Sequence, residues 1–493
     1  MTDRVLFVFP SLDPESRKSD RPPLGILTVA GTLLQAGVAV TILDERVEQN
    51  FDSKLLKALQ NCPICVGISS MSGRHIKQSM RISRLIKENS STPVVWGGVH
   101  ASLEPQATID HDLVDFVVRE DGEETFPQLI DALVSKHSRL DKIDGIAYKE
   151  NGRIIFTGEP KPSDIEKLPV VPFHLIDFNK YDVTPDQRNY KWISSPRHII
   201  PMETSRGCPF SCIFCTESVR KQKWRALSPE RVINDIKYYI SEYGIKNFTF
   251  IDDNLFGNIK RGERIVKLLA QENLGIRWYT NIRTDYLAKV GESFLSRLEK
   301  SGCGLLTFGA ESGSERILKM INKKATKGDV LTTNRKLAKT NIIPHFVTIR
   351  GFPTETKEDI SKTFFLTIQL CLENKRAVCD SPFLIPTPST KIVEMCLGES
   401  VKAYKLEDWA NIFDLFKDSR PPWVLEETYN QINRHNNLPL LTAHANRTSK
   451  FISMLGRFIL RIYKVGLSHG FSGLLDWFLG ISIQLVIKIH QKR

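Results

Sequence analysis

Short apolar runs alternate with helical patterns along most of this 493-residue chain, and that alternation constrains the fold more than any other feature. Over residues 1–140 the runs 5–9, 38–43, 65–69, 93–96 and 114–118 alternate with helical patterns at 24–35, 52–60, 76–88, 105–109 and 125–133. Strands in such a series form a parallel sheet with helices on both faces. A second series begins at 198–203 and continues at 247–251, 277–281, 305–308, 345–350 and 377–385. Six strand–helix units suit a partial (β/α)6 barrel. The expected class is therefore α/β. A doubly wound parallel sheet covers 1–140, a linker 141–198, the partial barrel 199–400 and a helical extension 401–493.

Asn151-Gly152 between two alternating runs predicts a hairpin within the linker. Pro160, Pro162, Pro169 and Pro172 stiffen the rest of this connector. The expected task of the linker is to lay the first domain over the mouth of the second. Ser228-Pro229 marks the start of a helix that runs to about Tyr243, with serine as N-cap and proline in the first turn.

Ahead of that helix stands the run Arg206-Gly207-Cys208-Pro209-Phe210-Ser211-Cys212-Ile213-Phe214-Cys215, with cysteines spaced C-x3-C-x2-C. Three thiolates on one short loop can hold three irons of a cubic iron–sulfur cluster, leaving the fourth iron to bind a substrate. Structural zinc wants four ligands, usually as two pairs, and no second pair lies nearby; His198, ten residues upstream, would complete only an irregular site. Disulfides would leave one of the three cysteines over.

This run resembles the signature of the radical S-adenosylmethionine (SAM) superfamily. The resemblance implies that Cys208, Cys212 and Cys215 ligate a [4Fe-4S] cluster, that its unique iron chelates SAM, and that Phe214 lies near the adenine. One electron then cleaves SAM to a 5′-deoxyadenosyl radical.

The first domain has a Rossmann-like pattern, but no G-x-G-x-x-G follows its first strand, so NAD is not expected. Its strand ends carry Ser69-Ser70-Met71-Ser72-Gly73, Gly97-Gly98-Val99-His100 and Glu120-Asp121-Gly122-Glu123. Together with Pro22-Pro23-Leu24-Gly25-Ile26-Leu27 these resemble the cobalamin-binding domain that precedes many radical SAM domains. The D-x-H-x-x-G motif that gives cobalt a histidine elsewhere is absent, which implies cobalamin without a protein histidine on its lower face. Candidate contacts are Ser69, Met71, Gly97, Gly98, His100 and Glu123, with His75 as a further polar group.

In the barrel the strand ends offer Glu203, Asp252, Asp253, Asn254, Asn281, Arg283, Asp285, Glu311, Ser312, Arg350, Gly351 and Glu355. Bound SAM needs acceptors for its ammonium and ribose and a donor for its carboxylate, which such residues supply. Arg283, Glu311, Ser312, Gly351 and Asp252 are the candidate SAM contacts, and Asp253 is assigned a catalytic place beside the three cysteines.

The formal net charge is +12, but from residue 441 onward eight Lys or Arg face one acidic residue, so over half of the excess lies in a tail outside the chemistry. No aromatic-rich basic motif points to nucleic acid. The runs 451–461 and 471–489 carry too many charges and glycines for a membrane span. Two readings stand, a peripheral interfacial helix on the inner membrane face and a helix packed on protein. Trp409, Phe413, Leu415, Phe416, Trp423 and Tyr429 suggest an extension that caps the barrel. The nine cysteines suit a reducing cytoplasm.

The resemblance implies a cobalamin-dependent radical SAM methyltransferase acting on an unactivated carbon of a small-molecule, lipid or peptide substrate, with a flavodoxin or ferredoxin as electron donor. A cyclase of the anaerobic porphyrin ester type, without methyl transfer, is the alternative. An iron–sulfur and corrinoid sensor is a third.

Overall fold

The computed structural model describes residues 4–12, 19, 21–135, 139–181, 198–220, 222–412, 414, 420–434, 461–462 and 465. Strands β1 (Arg4–Phe9), β2 (Ala39–Asp44), β3 (Cys65–Ser69), β4 (Val94–Gly97) and β5 (Phe116–Val118) run parallel in the order β2-β1-β3-β4-β5. The cores of β1 and β3 are buried because the helices Leu24–Gln35, Arg74–Asn89 and Gly122–Ser135 cover the sheet. The strand order reverses between β1 and β3, where ligand crevices of such sheets open.

The predicted hairpin forms as β6 (Ile146–Glu150) and β7 (Arg153–Phe156), and Asn151 and Gly152 take the positive φ values, 50° and 73°, that its turn demands. It does not belong to the linker, however. β6 pairs antiparallel with β5, which widens the first sheet to seven strands and carries the first domain past residue 140.

The linker fastens both domains. A Cβ on Gly31, within the helix Leu24–Gln35, would come 3.1 Å from Pro169 and 3.3 Å from Pro172, so glycine lets the linker lie close. On the other side Arg231 donates to the carbonyls of Glu166 and Leu168, and the Glu166 carboxylate accepts from the Ser228 amide and hydroxyl, both at 2.7 Å. Leu24 and Leu27 share one apolar cluster with Ile200, Phe248 and Trp278, so a single core crosses the domain boundary.

The second domain holds β8 (Ile200–Met202), the antiparallel ribbon β9 (Ser205–Arg206) and β10 (Arg225–Ala226), and then β11 (Asn247–Phe250), β12 (Arg277–Asn281), β13 (Cys303–Glu311), β14 (Ile343–Thr348) and β15 (Val378–Asp380). Six of these form a parallel sheet in the order β8-β11-β12-β13-β14-β15, the expected partial barrel. The cysteine loop leaves from β9 and returns through β10. The helix Pro229–Tyr243 starts on Ser228, whose hydroxyl accepts from the Arg231 amide, and stops at Gly244 with φ 65°.

The C-terminal extension does more than cap the barrel. Val393, Leu406, Trp409 and Ala410 are buried in the first domain's core with Ile76, Ile82 and Trp96. Farther on, Trp423 donates its indole N–H to the Gly351 carbonyl at 2.8 Å and Ile432 joins the barrel core. The extension thus straps the two domains together. Phe413, Leu415, Phe416 and the apolar tail runs lie outside the described residues. Among the described residues no helix is long and apolar enough to cross a membrane.

Candidate active site

The cysteine loop is held by its backbone. Gly207 has φ 83°, a left-handed conformation that glycine adopts readily, and its N–H donates to Asp253 Oδ2 at 2.8 Å. Cys215 N–H donates to Cys212 O at 3.0 Å, Ile213 N–H reaches Ile321 O at 3.1 Å, and Asn322 donates to Ser211 O at 2.9 Å. Cys212 is buried, while Cys208 and Cys215 are partly exposed. Burial pushes the Cys208 thiol up and the Cys215 thiol up to about 11. Neither thiol ionises readily by itself near neutral pH, so a cation that binds these sulfurs must displace their protons.

Beside this loop a cavity of about 280 Å³ opens at the carboxyl ends of the barrel strands, lined among others by Asp253, Asn281, Arg283, Glu311 and Lys323. Glu311 lies in the left-handed region, φ 56°, and its carboxylate accepts from Lys323 Nζ at 2.8 Å in a pair whose side chains are under a tenth exposed. A Cβ on Gly309 would fall 2.2 Å from Glu311 Oε1 and 3.0 Å from Lys323 Nζ, so glycine there makes room for the pair. Arg283 is braced on both sides, by two hydrogen bonds to Asp285 at 2.9 and 3.0 Å and by the Phe210 ring 3.6 Å from its Cζ.

A second cavity, of about 320 Å³, lies between the domains. Its first-domain wall comprises Gly25, Ser69, Gly97, Gly98 and Glu120 to Glu123, with Phe7, Val95 and Phe126 as an apolar floor. Its second-domain wall is Glu203, Arg206, Arg220 and Asp253. A side chain on Gly98 would come 2.8 Å from the Ser70 carbonyl, whereas one on Gly25 would point into open space. Asp253 lines both cavities.

An ion network frames the second cavity. Arg206 binds Glu203 at 2.7 Å, Glu123 at 2.5 Å and Asp121 at 3.3 Å. Arg220 binds Glu120 at 2.6 Å and Glu217 at 3.0 Å, and Arg225 binds Asp121 at 2.5 Å. Burial alone would raise the Asp121 carboxyl, but Arg206 and Arg225 outweigh it and hold it below the usual carboxylate range. Burial pushes the Glu203 carboxyl up despite Arg206.

The structure therefore brings Cys208, Cys212 and Cys215 onto one loop, Asp253, Arg283 and Glu311 into the barrel cavity, and Ser69, Gly97, Gly98 and Glu123 into the interdomain cavity. Other sequence candidates sit elsewhere. Asp252 is 1 % exposed, and its carboxylate accepts from the Thr204 amide and hydroxyl and the Ser205 hydroxyl, each at 2.6 Å, so it locks the end of β8 to β11. Ser312 is buried against Thr363, with 3.0 Å between hydroxyls. Gly351 is covered by Phe383, Val424 and Trp423. Phe214 meets Phe352 edge-on at 6.1 Å. Met71 is exposed beyond the end of β3. His100 is fully buried, with Nδ1 3.1 Å from the Ser72 hydroxyl and its ring 6.3 Å from that of Trp409, and burial drives its pKa down to about 3. It lines neither cavity, and nor does His75, which is buried edge-on to Phe9. Sequence reasoning missed Lys323, Arg220 and Arg225, because a lone basic residue carries no motif.

Comparison with known proteins assigns two stretches of the chain to families. Residues 15–130 match the B12 binding domain family and residues 202–367 the radical SAM superfamily. An uncharacterized methyltransferase from Pyrococcus horikoshii is 30% identical over 407 residues, spanning 81% of this chain and 84% of that protein. The anaerobic magnesium-protoporphyrin IX monomethyl ester cyclase of Synechocystis is 28% identical over 68% of this chain and 65% of its own length. Among solved structures, the radical SAM methyltransferase TsrM from Kitasatospora setae, with cobalamin and a [4Fe-4S] cluster bound, superposes with a TM-score of 0.67 at 15% identity, covering 95% of this chain and all of that one. The cobalamin-dependent radical SAM enzyme OxsB gives 0.66 at 16% identity over 94% of this chain and 72% of its own. The chain belongs to the radical SAM superfamily, in the group that carries an N-terminal B12-binding domain.

Proposed function

We propose that this chain is a cobalamin-dependent radical SAM methyltransferase that methylates an unactivated carbon. The observation that carries the reading is that one carboxylate residue, Asp253, lines both the barrel cavity and the interdomain cavity. Such an arrangement serves a reaction that needs two cofactors around one substrate.

The residues fit both groups. Three thiols on one loop, with no fourth beside them in the motif, suit a cubane with one open iron, and Cys208, Cys212 and Cys215 would hold it. The interdomain cavity has the glycine-lined wall at Gly25, Gly97 and Gly98 and the apolar floor that a broad, flat macrocycle needs. Ser69, Gly97, Gly98 and Glu123 would contact it, and no histidine is among the residues lining that cavity. When bound, the cluster supplies one-electron cleavage of SAM and the corrinoid a transferable methyl group. Arg283 and the Glu311–Lys323 pair would orient SAM, with the Arg283 guanidinium as a donor for its carboxylate and Glu311 as an acceptor. Asp253 fixes the cluster loop through Gly207 and presents its carboxylate to both cavities.

An electron donor of flavodoxin or ferredoxin type and a small-molecule, lipid or peptide substrate complete the reading. No disulfide joins any of the nine cysteines, which supports a reducing cytoplasmic setting. Relatives named as cyclases make ring closure without methyl transfer the second reading.

Anaerobically reconstituted protein, given hydroxocobalamin, SAM and a strong reductant, should retain corrinoid and release both S-adenosylhomocysteine and 5′-deoxyadenosine. Release of 5′-deoxyadenosine alone by corrinoid-loaded protein would favour the cyclase reading.

A further inference from the structure

The loop that carries the cysteines is anchored at both flanks by the other domain. On its amino-terminal side Arg206 reaches Glu123 at 2.5 Å and Asp121 at 3.3 Å. On its carboxyl-terminal side Arg220 reaches Glu120 at 2.6 Å, and Gln222 donates to the same carboxylate at 2.5 Å. Arg225, on the ribbon that closes the loop, reaches Asp121 at 2.5 Å and donates to the Ser163 carbonyl at 3.0 Å. Ser163 in turn donates its N–H to Asp121 at 3.0 Å, which brings the linker into the same network.

All three carboxylates belong to one turn, Glu120 to Glu123, which leads out of β5 into the first residues of the helix Gly122–Ser135. The turn starts in the left-handed region, Glu120 at φ 58°, a conformation that a non-glycine residue holds only when its surroundings fix it. The same turn supplies four of the residues that line the interdomain cavity. Its shape is thus set by arginines whose own positions depend on the cysteine loop. Asp121 is 5 % exposed and Glu123 4 %, so losing these partners would strand buried carboxylates.

We propose that Asp121, with Arg206 and Arg225, is a positioning centre through which occupancy of the cluster loop and occupancy of the interdomain cavity are coupled. A cluster that ties three cysteines together fixes both loop flanks, hence the Glu120–Glu123 turn, hence the cavity wall that receives the corrinoid. By linkage the coupling is reciprocal. The inference rests on the proposed cofactor assignment and adds that the two domains do not load independently.

The test is hydroxocobalamin binding by absorbance titration, with full-length protein in cluster-loaded form and in iron-free form. The expected result is tighter binding to the loaded protein by roughly 5- to 150-fold, the usual range of coupling between sites. Asp121→Asn should bring the two affinities together while leaving iron content unchanged. If that variant does not fold, Glu120→Gln, which loosens the Arg220 flank on a more exposed side chain, should narrow the difference in the same direction. Equal affinity of loaded and iron-free wild-type protein would overturn the coupling while leaving the cofactor assignment intact. No corrinoid binding in either form would overturn both.

Discussion

Asp253 accepts a hydrogen bond from the Gly207 amide at 2.8 Å, and so joins the wall between two cavities to the residue that opens the cysteine loop. Gly207 also takes a φ of 83°, which glycine adopts readily. Replacing Asp253 with Ala removes this bond and, among the described residues, the one carboxylate common to both linings. The expected outcome is retained iron with turnover lowered by about 10²-fold, the scale on which a small misplacement near reacting groups acts. Iron analysis and product quantification on one preparation check it.

Each cysteine of the motif is expected to be individually necessary. Cys208→Ala, Cys212→Ala and Cys215→Ala should each lose the iron–sulfur chromophore and SAM cleavage, because a cubane held by three thiolates has no spare ligand on this loop. Cys62→Ala should leave both unchanged, since Cys62 is an exposed residue of the first domain, ahead of β3.

The Glu311–Lys323 pair is buried, with side-chain exposures of 8% and 9%. Lys323→Met leaves the carboxylate without its partner and should destabilise the protein by about 3–5 kcal/mol. SAM affinity should fall in parallel. The double variant Glu311→Gln with Lys323→Met should regain part of the stability, because no unpaired charge remains. Thermal unfolding of the two variants and wild type, with SAM titration, provides the check.

Glu355 predicts a pH dependence. Burial pushes its carboxyl up to about 8, despite the Gly351 N–H donated to it at 2.7 Å, and its charged neighbours are Arg350, Arg316 and Asp359. Between the ordinary carboxylate range and pH 8 the native state holds a proton that the unfolded chain has lost. Stability therefore falls as pH rises through that window and levels off above it. Glu355→Gln should flatten this slope and raise the unfolding temperature at pH 8 relative to wild type. Thermal scans across the window measure it; an unchanged slope would contradict the assignment.

Much of this organisation is legible in the residues. Strand runs such as 65–69 are apolar on both faces because helices cover both sides, and the C-x3-C-x2-C spacing names its own chemistry. The features that stay hidden depend on contacts distant in sequence. The hairpin at 146–156 reads clearly as a hairpin, but only the free edge of β5 decides that it joins the first sheet. Asp252 and Asp253 are adjacent and chemically equal, yet beyond the end of β11 the backbone turns one into the hydroxyls of Thr204 and Ser205 and the other to the cavities. Ser312 follows Glu311 in the same way and turns into the core. His100 reads as a ligand-facing strand end, but Trp409, more than 300 residues away, covers it.

The central claim is that the two cofactor sites lie side by side, with Asp253 bordering both. Electron paramagnetic resonance of protein carrying both a reduced cluster and cob(II)alamin tests it most directly. The account predicts that each spectrum is split or broadened by the other centre relative to protein loaded with only one. A spectrum equal to the simple sum of the two singly loaded forms, from a sample shown to carry both, would contradict it.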